Sequence, residues 1–152
     1  MIKVIRTSQP LISIGILWLA AAVIILVLSF MLPAKINVEW TTATELNTAG
    51  FNVYRSQQPD GEFVKINSQM IPAKGNTTTG SVYQFTDEQV KAGQTYYYVL
   101  EEIELTGSSK QYRQEMLSYT VPHISSWALI ATAVSLVTGL FLLTKGIREN
   151  RE

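Results

Sequence analysis

The side chains able to do chemistry are few and scattered. His123 is the single histidine and follows Pro122. One imidazole without partners makes neither a metal site nor a triad, and its place beside an apolar run suits an interfacial polar residue. Glu101, Glu102 and Glu104 are the densest carboxylate group, and such oxygens are suitable calcium ligands. Along an extended chain, however, Glu101 points opposite to Glu102 and Glu104, so a solvated strand face is the better reading; Glu102, if inward, needs a partner. Asn76-Thr77-Thr78 has the form of a glycosylation acceptor, a pattern short enough to arise by chance. The absence of cysteine removes disulfides, thiolate nucleophiles and cysteine-ligated metals. No nucleophile–base pair or carboxylate pair stands out. The expectation is a non-enzyme, with no catalytic residues, no metal ligands, no cofactor and no small-molecule substrate.

The elements that would carry these residues fall into three parts. Residues 11–32 form an uncharged run of 22, and residues 124–144 a second of 21. At about 1.5 Å per residue each reaches the roughly 30 Å of a bilayer's hydrocarbon core, so each reads as a transmembrane helix. A cleaved signal peptide is the alternative for the first. The run is longer than a signal core of roughly 7 to 15 residues, and Phe30-Met31-Leu32-Pro33-Ala34 lacks a small-x-small cleavage site, so it reads as a retained anchor. Trp127 at the start of the second run, with Lys145 and Arg148 after it, marks the membrane interfaces. Ala131, Ser135 and Gly139 recur every four residues along one helix face, a stripe permitting close helix packing within the chain or with a neighbour. No charged residue lies in either run, which argues against ion transport by this chain alone.

Lys3 and Arg6 precede the first run and Lys145, Arg148 and Arg151 follow the second, against Lys35 alone near the other ends. This distribution places both tails, residues 1–10 and 145–152, in the cytoplasm, and residues 36–121 in the periplasm or outside the cell. The expected location is therefore a cell (inner) membrane. The middle region holds ten acidic and six basic residues, with no basic stripe for nucleic acid.

Residues 36–121 alternate apolar and polar over short segments separated by turns, the pattern of an all-β sandwich. Ile36-Asn37-Val38-Glu39-Trp40, Phe51-Asn52-Val53 and Tyr83-Gln84-Phe85 each read as half-buried strands, and Pro59-Asp60-Gly61 as a hairpin turn. The stretch from Thr44 through Gly50-Phe51-Asn52-Val53-Tyr54-Arg55-Ser56, then Pro59-Asp60-Gly61-Glu62-Phe63-Val64-Lys65-Ile66-Asn67, resembles the B to C' region of bacterial fibronectin type III-like domains. Tyr83-Gln84-Phe85-Thr86-Asp87 is similar to that family's strand E, and Ala92-Gly93-Gln94-Thr95-Tyr96-Tyr97-Tyr98-Val99-Leu100 to its strand F. The resemblance implies that Trp40 is the core tryptophan of strand B and that Tyr96 ties down the E to F corner. Trp40, Phe51, Phe85, Tyr96 and Tyr98 then form a core rather than a ligand-stacking site.

The chain departs from that family in leaving no room for strand A between residues 32 and 36. Six strands are expected, and an even number returns the chain to the pole where it started. Residues 41–50, 68–80 and 106–110 then form the free loops, while residues 57–62 and 87–93 turn back toward the membrane. The long loop 68–80 is a partner contact or a mobile segment. Strand B is either an open edge inviting another chain or an edge covered by Glu39 and nearby membrane. Taken together these features predict an accessory subunit of a larger bacterial membrane complex, by analogy respiratory or photosynthetic. Its partners would be the lipid bilayer and other membrane-protein subunits. The alternative is a membrane-anchored adhesion or ligand-binding module.

Overall fold

The computed structural model describes residues 8–151, so Lys3 and Arg6, on which half of the expected orientation rests, lie outside the described residues. The chain divides into a helical unit built from its two ends and a β unit, residues 33–122.

Helix α1 spans Ser8–Met31 and α2 spans Ser126–Arg151. Pro10 sits in the first turn of α1, where its missing N–H costs nothing. At the other end Leu32 N–H still bonds the Leu28 carbonyl at 3.0 Å, and Pro33 stops the run. Helix α2 begins after Ser125, whose carbonyl accepts from Ala128 and Leu129 N–H at 3.0 and 3.2 Å. The segment expected as a tail after residue 144 is helical through Arg151, because Lys, Arg and Glu favour helix and the cations suit its C-terminal dipole. Both helices are long and apolar enough to cross a membrane, with mean hydropathy 3.0 and 2.0 over an 18-residue stretch of each.

The two helices form an antiparallel hairpin whose seam is made of small residues. On α1 the buried positions are Ser8, Gly15 and Ala22; on α2 they are Ala128, Ser135, Gly139 and Gly146. They recur at seven on α1 and at seven, four and seven on α2, the heptad pattern that keeps one stripe facing a partner along two helices. A Cβ on Gly15 would lie 2.9 Å from Leu143 N and 3.0 Å from the Gly139 carbonyl oxygen. One on Gly139 would lie 3.0 Å from the Gly15 carbonyl oxygen. Backbone therefore meets backbone, which only glycine allows.

The β unit has eight strands: β1 Ile36–Thr41, β2 Thr48–Ser56, β3 Val64–Lys65, β4 Ile71–Pro72, β5 Val82–Asp87, β6 Thr95–Glu104, β7 Ser109–Gln111 and β8 Leu117–Thr120. Strands β1 and β5 form one antiparallel sheet. The other is centred on β2 and β6, with β3 and β4 on the free side of β2, and β7 and β8 on the free side of β6. Eight segments thus occupy six strand positions, where six unbroken strands were expected. Both breaks fall on edges: one edge is split between β3 and β4, the other by a 3₁₀ turn at Arg113–Glu115. An edge strand holds one ladder rather than two, so it tolerates interruption.

Ile36, Val38, Val53, Val90, Tyr96, Tyr98 and Val121 fill the space between the sheets. Ile36 pairs with Asp87 and Thr120 with Thr95, so the β unit begins and ends at the pole of the β5–β6 loop.

Candidate functional site

The expected core aromatics divide by burial. Phe51, Tyr96 and Tyr98 are buried, while Trp40 and Phe85 are half-buried. Trp40 stacks on Tyr83 with ring centroids 5.2 Å apart, and Phe51 meets Tyr83 at 5.0 Å. Tyr83, 1% exposed, is thus the centre of the cluster, although a tyrosine in an alternating strand gives no sign of this from sequence. The Tyr96 hydroxyl accepts from Lys91 N–H in the β5–β6 loop at 3.0 Å, the tie that the family resemblance implied.

Three buried polar groups hold the loops and faces. Glu45, in the β1–β2 loop, accepts from Thr42 Oγ1, Tyr83 Oη and Gly75 N–H, each at 2.6 Å. Burial works to raise its carboxyl, but these bonds, with one from the Lys74 backbone, outweigh it and hold the group below its ordinary value. Glu45 N–H also bonds the Asn76 carbonyl, so the long loop after β4 is pinned to the loop after β1.

On the inward side, Arg55 Nη1 grips both oxygens of Asp87 at 2.8 and 2.7 Å, and Tyr98 Oη donates to the same carboxylate at 2.9 Å. Burial first, then that bond, pushes the Tyr98 phenol up.

The acidic run splits as alternation requires. Glu101 accepts from Asn52 and Tyr54 at 2.9 and 3.0 Å. Glu102 takes the hydroxyls of Thr48 and Tyr112, which are the partners its inward position needs. The bond to Glu102, then burial, pushes the Tyr112 phenol up to about 12. Each carboxylate is consumed by neighbours, and no group of three potential metal ligands is found among the described residues.

The surface left open lies between β1 and β8. Strand β1 pairs with β5 alone among the described residues. Thr42 N–H bonds the Ser81 carbonyl, so counting back in twos, Trp40, Val38 and Ile36 exchange bonds with β5. Asn37, Glu39 and Thr41 then direct their N–H and C=O groups to the open side. The same count from the Val121–Gln94 bond turns the backbone of Ser118 and Thr120 outward on β8.

Leu117 and Tyr119 lie opposite Tyr98 and Tyr96 and so share their inward face. Tyr98 and Tyr96 are 4% and 2% exposed, yet Leu117 and Tyr119 are 56% and 49% exposed. The small sheet is too narrow to cover them. A groove of about 560 Å³ runs there past Lys35, Val38, Tyr98, Leu117 and Tyr119. It continues into a second of about 210 Å³ beside Trp40, Leu100, Tyr112 and Glu115. The Trp40 indole N–H has no acceptor among the described residues.

The remaining expected residues lie in the helical unit. Ser135 and Gly139 are buried in the hairpin seam and Ala131 is half-buried beside it. Trp127 is exposed in the first turn of α2, and Lys145 and Arg148 are exposed near its end. His123 is exposed in the joint before α2.

No family model matches the sequence, and no curated protein matches it. Among solved structures the chain is similar to a Fn3-like protein from Clostridium thermocellum, at 27% identity over 51% of this chain and 68% of that one, with a TM-score of 0.35.

Proposed function

We propose that the chain is a non-catalytic subunit of a larger bacterial membrane complex. Its helical hairpin lies in the inner membrane with both ends in the cytoplasm, and its fibronectin type III-like β unit docks a component outside the cytoplasm. The observation that carries this reading is the outer surface of the hairpin. Leu17, Val23 and Phe30 on α1 and Ile130, Val137 and Phe141 on α2 are each 60% exposed or more. A core helix of a soluble protein would bury such residues; lipid or neighbouring apolar helices satisfy them equally well. The cations at the end of α2, with Lys3 and Arg6, support the orientation.

The tied loops favour a docking role over a ligand-binding one. Glu45 draws two of the three free loops together rather than leaving them spread around a cavity. Isolation of the full chain in a mild detergent tests the reading. Companions present in fixed ratio are expected, and a chain that purifies alone would contradict it.

A further inference from the structure

We propose that the open edge of β1 takes up an extended segment of another polypeptide chain, which completes the small sheet as a third strand and covers Leu117 and Tyr119. This rests on the reading of the chain as a subunit and names its docking site and the chemistry of what docks.

Three observations define the occupant. First, Asn37, Glu39 and Thr41 present alternating backbone donors and acceptors over about 14 Å of edge, at ~3.4 Å per residue. An extended backbone satisfies such a row, as in recognition by strand addition. Second, the groove behind that edge is apolar and its floor already belongs to the core: Val38 and Tyr98 are buried, while Leu117 and Tyr119 wait half-open. An incoming strand places alternate side chains into this space, so it carries apolar residues at every second position.

Third, Glu39 alternates with the buried Val38 and is exposed on the outer face of β1, where it borders both grooves. Glu115 lines their upper part and Lys35 their lower end. A segment antiparallel to β1, like every pairing in this unit, therefore has a basic residue across from Glu39 in its N-terminal half and an acidic one near Lys35. A second copy of β1 fits less well, because its central register sets Glu39 against Glu39.

The test uses the full chain in mild detergent and a fluorescein-labelled peptide of about eight residues, the length of a strand with its flanks. Valine occupies alternate positions, with lysine in the N-terminal half and glutamate in the C-terminal half. Saturable binding is expected in fluorescence anisotropy. Methylating alternate backbone nitrogens of the peptide should weaken it about tenfold or more, as loss of one or two backbone bonds requires. Asn37→Pro should do the same, since it removes an N–H on the open side and leaves the ladder to β5 intact.

Because a proline can disturb folding, Glu39→Lys provides a second arm: it should weaken the lysine peptide and favour one with glutamate at that position. Equal binding of a scrambled or methylated peptide overturns the proposal. So does efficient disulfide-linked dimer formation by Glu39→Cys, the position that faces itself in that central register, with loss of peptide binding, which would assign the edge to a second copy. Companions retained equally by Asn37→Pro overturn the groove as their dock and leave the subunit reading standing. Peptide binding by a chain that purifies alone supports the groove and contradicts that reading.

Discussion

The helical hairpin and the β unit bring their elements together by opposite means. In the hairpin, main chain touches main chain at Gly15, Gly139 and Gly146, and apart from Ile12 and Leu19, which pack over Gly146 and Gly139, many large side chains point away from the seam. In the β unit, two sheets stand apart and are filled by large rings, with Glu45 and the Arg55–Asp87–Tyr98 group as polar ties. Smallness seals one region and bulk seals the other. Bulk gives out along one side only, between β1 and β8, where inward-facing residues lie half-open.

The largest effect should come from emptying the filled side. Phe51→Ala removes a ring that is 2% exposed and packs on Trp40 and Tyr83, and should lower unfolding stability by about 3–5 kcal/mol. Leu117→Ala, on an inward face but in the groove, should stay within about 0.5 kcal/mol. Urea unfolding of the full chain in detergent, followed by near-ultraviolet dichroism, measures both. Equal losses would erase the distinction between a closed and an open side.

Next is the buried ion pair. Arg55→Ala leaves Asp87, 3% exposed, with Tyr98 but no cation, and should cost about 3 kcal/mol by the same measurement. A loss under 1 kcal/mol would mean that water reaches Asp87.

In the hairpin, Gly139→Leu drives a side chain into the Gly15 carbonyl and the Leu19 side chain, a cost of about 1–3 kcal/mol. The chain has no cysteine, so a Ser8→Cys, Asn150→Cys pair, whose native side chains lie 3.5 Å apart, reports closure of the hairpin by its rate of disulfide formation. Gly139→Leu should slow that rate, while an unchanged rate would show that the seam tolerates bulk.

The smallest effect is electrostatic. Glu45 and Glu101 are held below their ordinary value of 4.5 in the folded state. The stability they contribute is therefore present above that value and is lost as pH falls through the lower folded one. Glu45→Gln should cost about 1 kcal/mol at neutral pH and flatten the acid limb of the stability curve. An acid limb identical to that of the native chain would show that Glu45 is not anchored in this way.

Much of this was legible from residue order alone, for physical reasons. The uncharged run of 22 residues marks a helix long and apolar enough to cross a membrane, and alternation in Ile36–Thr41 and Val82–Asp87 marks two half-buried strands. The seam was only partly legible. Ala131, Ser135 and Gly139 suggest a spacing of four, whereas Ala128, Ser135, Gly139 and Gly146 line the contact because two antiparallel helices repeat it every seven. Within the alanine triplet of α1, Ala22 lies in the seam and Ala20 does not, a distinction set by the partner helix.

Glu45 was illegible, since a carboxylate in a Thr-rich loop defaults to solvent until a distant tyrosine and glycine converge on it. The open edge could be suspected from the short link between Leu32 and Ile36. Only the pairing register decides which backbone groups it presents and that Leu117 and Tyr119 face inward.

The proposed arrangement, with the helices in a bilayer and the β unit across it, is tested most directly by cysteine labelling in intact cells with a membrane-impermeant maleimide. Asp60→Cys, exposed in the loop after β2, should react without permeabilisation, and Arg151→Cys, exposed at the end of α2, only after it. Protection of Asp60→Cys in intact cells, or labelling of Arg151→Cys from outside, would contradict it.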